Sequence, residues 1–88
     1  MKIKNDFILR EVAGSYVVVP VNDRTMDFNG MINLNETGAF LFELLQKGAE
    51  KSELLSRMLE EYEVTAERAE ADIDKFIQKL KDADVLEQ

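Results

Sequence analysis

The hydrophobic period of this chain changes once, at Asn35, and that change limits the folds open to it. Before Asn35, apolar residues come in short β-prone runs. Residues 7–12 form one run and residues 15–21 a second, rich in Tyr16, Val17, Val18 and Val19. The small pair Ala13-Gly14 between them specifies a tight hairpin. Pro20 cannot donate to a ladder, so it belongs at a strand end or a bulge. Residues 22–29 are polar and turn-like. Residues 31–34 make a third strand, with Ile32 and Leu34 on one face and Met31 and Asn33 on the other.

After Asn35 the apolar spacing becomes three and four, which is helical. Asn35 is a good N-cap for a first helix carrying Phe40, Leu41, Leu44 and Leu45, and Gly48 supplies its stop. A second helix over 51–62 has Leu54, Leu55, Met58 and Leu59 as its apolar stripe, and Glu50 caps it weakly. Thr65 caps a third helix running to about residue 83, whose buried face is Ala69, Ile73, Phe76, Ile77 and Leu80. Asp84 takes the turn that follows, and Val85 and Leu86 fold back onto the core. Three strands then three helices predict an α+β chain with its helices on one face of a small antiparallel sheet. At 88 residues that is one domain.

The composition removes most chemistries. There is no histidine and no cysteine, so imidazole bases, disulfides and the usual zinc ligands are gone. The serines at 15, 52 and 56 have no activating base, and the glycines at 14, 30, 38 and 48 form no phosphate cradle. Asp and Glu are numerous, but they read as polar helix faces interleaved with Arg68, Lys75 and Lys79, and no calcium-loop spacing occurs. The expectation is a chain with no catalytic residue, metal ligand or cofactor. Its net charge is −7, and residues 35–88 carry fourteen acidic against seven basic side chains. That balance disfavours nucleic acid. No apolar run reaches membrane-spanning length and the N-terminus lacks a signal-peptide core, so a cytoplasmic location is expected.

What remains is an edge. In a three-stranded meander the first and third strands lie outside, and natural edges are guarded by charge, proline or bulges. Lys2, Lys4, Asp6, Arg10 and Glu11 guard the first strand. Residues 28–35 hold neither charge nor proline. Such an edge invites strand addition by a peptide. It would equally accept a covering helix or loop, or a second copy in a homodimer.

The segment Asp27-Phe28-Asn29-Gly30-Met31-Ile32-Asn33-Leu34-Asn35-Glu36-Thr37-Gly38-Ala39-Phe40-Leu41-Phe42-Glu43-Leu44-Leu45 resembles the signature of the PqqD-like family, named for pyrroloquinoline quinone synthesis protein D. Arg10-Glu11-Val12-Ala13-Gly14 with residues 17–21 resembles the family's first hairpin. Glu60-Glu61-Tyr62-Glu63-Val64 and residues 80–86 resemble its last two helices. Asp84 stands where members often place glycine. The resemblance implies a winged-helix-like βββααα fold. It also implies a recognition element for ribosomally made, post-translationally modified peptides. Such a module binds the leader of a precursor peptide as an added strand and presents it to a modifying enzyme, often a radical S-adenosylmethionine protein. The implied peptide site comprises Gly30, Met31, Ile32, Asn33 and Leu34 on the third strand. From the third helix it takes the stripe Asp72, Lys75, Phe76 and Lys79. Proline at Ile32 is expected to remove an edge donor. Phe76 is expected either as simple core or as a direct peptide contact. Two rivals stand beside this expectation. A DNA-reading winged helix needs a basic face, and the third helix is net negative. A dimerising scaffold domain needs only the same open edge.

Overall fold

The structure, a computed structural model, describes residues 1–21 and 32–87. The expected turn over 22–29, and Gly30 and Met31 of the expected third strand, lie outside the described residues. The elements are β1 (Lys2–Ile3), β2 (Phe7–Val12), β3 (Ser15–Pro20), β4 (Ile32–Leu34), α1 (Glu36–Lys47), α2 (Lys51–Glu61), α3 (Ala66–Asp82) and β5 (Leu86–Glu87). Strands β2, β3 and β4 form an antiparallel meander in that order. This is the α+β, βββααα arrangement expected, with one addition: β1 and β5 pair antiparallel in a second sheet, Lys2 opposite Glu87 and Ile3 opposite Leu86.

Local chemistry sets the boundaries. Val12 pairs with Ser15, so the β2–β3 turn has two residues, and both have positive φ: Ala13 at 53° and Gly14 at 81°. That is the sign pattern of the turn matching strand twist. Gly14 adopts it freely, whereas Ala13 does so against a cost of about 1–2 kcal/mol. Pro20 is the last residue of β3. The Asn35 side chain accepts from the Gly38 N–H at 2.7 Å, and Thr65 accepts from the Arg68 N–H at 3.2 Å. Glu50 makes no such cap bond at α2. At the end of α3, Asp84 has φ 59°. Its N–H donates to the Lys81 carbonyl, and the Val85 N–H reaches back to that of Leu80. Those two bonds define a Schellman stop, whose left-handed residue is usually glycine.

The helices cover one face of the sheet. Phe7, Val18, Ile32 and Leu34 from that face join Leu41, Phe42, Leu45, Leu54, Met58, Ile73, Phe76, Ile77 and Leu80 in one apolar cluster. Leu9 and Tyr16 pack against its margin. Val85 and Leu86 fold back into it as expected. They carry the chain to β1, where the Lys4 N–H donates to the Val85 carbonyl at 2.9 Å. Met1 completes the clasp: its carbonyl accepts from the Ala49 N–H, and its ammonium donates to the Ala49 carbonyl. Both chain ends are thereby tied to the α1–α2 turn.

Candidate functional site

The hydrogen-bond phase of the sheet decides which groups β4 leaves free. The Val21 N–H donates to the Asp6 carbonyl at 2.7 Å. Phe7 lies opposite Pro20, so residues 6 and 21 form a hydrogen-bonded pair, and such pairs alternate along an antiparallel ladder. Val17 and Val19 therefore direct their backbone groups at β2, and Tyr16 and Val18 direct theirs at β4. Tyr16 pairs with Leu34, Val17 with Asn33 and Val18 with Ile32. It follows that Ile32 and Leu34 bond to β3, while Asn33 turns both its N–H and its C=O outward. Pro20 fits the same phase, since its missing N–H costs the β2–β3 ladder nothing. The phase also corrects one expectation. Proline at Ile32 would break the bond to Val18 inside the sheet, because the outward donor belongs to Asn33.

The helix α3 lies across from this edge. Residues 72, 75, 76 and 79 are three or four apart and share one face. With Arg68, that face forms one wall of a groove of about 480 Å³. The opposite side is Asn33, Leu34, Asn35 and the first turns of α1: Thr37, Gly38 and Leu41. The floor is apolar. Leu34 and Leu41 are buried, and Phe76 is only 8% exposed, so its ring belongs to the core and also reaches the groove. Gly38 keeps the groove's corner tight, because a Cβ there would stand 3.2 Å from the Asn35 side-chain oxygen and 3.3 Å from the Leu34 Cβ.

The rim is charged. The Lys79 ammonium donates to the outward Asn33 carbonyl at 3.1 Å. Arg68 Nε holds both oxygens of Asp72, at 3.4 and 3.3 Å. Lys75 is exposed and has no ion pair among the described residues. The flank of α3 toward α2 has its own ion pairs: Lys51 lies 2.7 Å from Asp74 and 3.8 Å from Glu70. The hydrogen bond to Asp74 is the main reason the Lys51 ammonium titrates above its usual range. Near the start of α1, burial and then the charge of Glu36 push the Tyr62 phenol up, against an opposing hydrogen bond from Thr37.

The structure thus brings Asn33, Leu34, Asp72, Lys75, Phe76 and Lys79 together around one groove. Ile32 is buried beneath β4 rather than lining it, and Gly30 and Met31 lie outside the described residues. Sequence patterning missed Asn35, Thr37, Gly38, Leu41 and Arg68. The Arg68–Asp72 pair was within its reach, being an i,i+4 pair on a helix whose cap had been found.

Among the described residues, then, a small antiparallel sheet ends at β4, and a groove lies between that strand and the last helix. The family model of coenzyme PQQ synthesis protein D (PqqD) matches residues 15–86, and the chain belongs to that family. Among curated proteins none matches this chain. Two solved structures share its fold. One is TbiB1 in complex with the TbiA(beta) leader peptide, with TM-score 0.78, 22% identity, and 99% of this chain and 95% of that chain covered. The other is lasso peptide synthetase B1 complexed with the leader peptide, with TM-score 0.73, 21% identity, and 92% and 89% covered.

Proposed function

We propose that this chain is a non-catalytic recognition module. It binds the leader of a ribosomally made precursor peptide as a fourth strand beside β4 and presents the precursor to a modifying enzyme, of the radical S-adenosylmethionine class. The observation that carries the proposal is Asn33: a backbone N–H and C=O facing outward at the mouth of a groove floored by Leu34, Leu41 and Phe76. Family membership and the leader-bound state of both structural neighbours support it.

Magnitudes say how the binding divides. Asn33 offers two backbone hydrogen bonds, worth about 1–3 kcal/mol together. Micromolar affinity needs about 8 kcal/mol after the cost of ordering the peptide. The Asn35 carbonyl cannot extend the ladder, because it accepts the Ala39 N–H as the first bond of α1. Apolar burial must supply most of the remainder. In an added strand, residues opposite Ile32 and Leu34 share their face and point into the groove. Two such leader side chains, separated by one residue, contribute about 1.5–3 kcal/mol each.

The module's contribution to modification is effective concentration: a held leader makes the enzyme's encounter with the core peptide intramolecular. Added in trans, the chain should raise modification of a full precursor and do little for a core peptide lacking its leader. Equal stimulation of both substrates would contradict delivery and point to general activation of the enzyme.

A further inference from the structure

The charge of the groove is opposite to the charge of the molecule. The chain carries −7 overall, yet among the described residues the groove is lined by Arg68, Lys75 and Lys79 against a single carboxylate, Asp72. That carboxylate is already engaged by Arg68. Of the other acids of α3, Glu70 and Asp74 face Lys51, and Asp82, three residues after Lys79, accepts a hydrogen bond from the Gln78 amide. Lys75 and Lys79 are therefore two ammonium groups, one helical turn apart, with no acidic partner among the described residues. Acids farther off weigh less, since at physiological salt their field decays over about 8 Å.

The contact between Lys79 and Asn33 has a second consequence. Its ammonium occupies the outward carbonyl of Asn33, which an added strand needs as its acceptor. The contact is exposed to solvent, so giving it up costs little. We infer that the groove takes an acidic peptide segment, and that Lys79 exchanges the Asn33 carbonyl for a peptide carboxylate as the strand docks. The inference rests on the strand-addition reading above and specifies its occupant. A peptide N–H takes the carbonyl, and the released ammonium, with Lys75 one turn away, meets the side-chain carboxylate of a nearby peptide residue. A neutral peptide displaces Lys79 with no return, and a basic one meets two like charges.

The probe is a displayed library of random 16-residue peptides, selected on the immobilised full chain and kept only if Asn33→Pro abolishes capture. The retained pool should be enriched in Asp and Glu, and the Lys75→Glu, Lys79→Glu double variant should select Lys and Arg instead. One selected acidic peptide and its Asp→Asn form then complete a double-mutant cycle with Lys79→Gln. The acidic parent should lose roughly two- to fivefold in affinity, while the Asn form should be unchanged or bind more tightly, because no ammonium has to leave the edge. A pool without acidic enrichment, or equal losses for both peptides, would overturn the inference and leave the groove reading intact. A pool that ignores Asn33→Pro, or no pool at all, would overturn both.

Discussion

The two edges of the three-stranded sheet are protected in different ways. On β2 the same phase that turns Asn33 outward also turns Leu9 and Glu11 outward, and the strand carries its own charges, Arg10 and Glu11. That protection is written into the strand and is always present. On β4 none of the three residues is charged, and the guard is Lys79, reaching across from α3. Lysine at an edge is a familiar defence against unwanted pairing. Here it sits on another element and is held by one exposed hydrogen bond, so it can leave. A fixed guard makes an edge inert; a removable one makes it selective.

The largest effect should come from breaking the floor beneath β4. Phe76→Ala removes a ring 8% exposed within the core cluster, at about 3–5 kcal/mol. For a chain of this length that is most of the stability, and thermal unfolding should show little native protein left. Phe76→Leu should keep the fold and report the ring's contact with the peptide alone. A melting temperature near wild type for the alanine variant would mean the groove floor is not core.

The next effect compares the edges directly with one substitution. Proline is tolerated where a strand's N–H faces outward, so Asn33→Pro and Glu11→Pro should both fold. The first removes the donor the peptide uses and should cost about tenfold or more in affinity. The second alters an edge not implicated in binding and should leave affinity unchanged. Equal losses would mean that the peptide does not distinguish β4 from β2.

What the sequence revealed follows how local each feature is. The caps at Asn35 and Thr65 are contacts between residues three apart, and both are found where the pattern put them. The buried face of α3 follows from its period, and all five expected residues are buried. Asp72, Lys75, Phe76 and Lys79 lie on one face for the same reason. The clasp was missed because β1 and β5 have two residues each and no period, and they pair across almost the whole chain. Thr37, Gly38 and Leu41 joined the groove through the angle at which α1 leaves β4, which no local pattern encodes. The guard was invisible as well: Lys79 looks like any solvated lysine until the fold brings it across 46 residues to the Asn33 carbonyl.

The smallest effect is decisive by its sign. Asp72 lines the groove, and the family resemblance implied that it belongs to the peptide site, so its removal would weaken binding. In the folded chain both its oxygens face Arg68 Nε. Asp72→Asn should release that guanidinium into the groove, where it adds to Lys75 and Lys79. An acidic peptide should then bind about two- to fivefold more tightly, the scale of one partly exposed charge pair. Stability should stay within about 0.5 kcal/mol of wild type, because a surface substitution of this kind breaks no core contact. Raising the salt should erase the gain, as the screening length falls from about 8 Å at physiological strength to about 3 Å at 1 M. Weaker binding by Asp72→Asn would instead make Asp72 a direct partner of a donor on the peptide. The difference between the two edges would then lie in hydrogen-bond complementarity more than in charge.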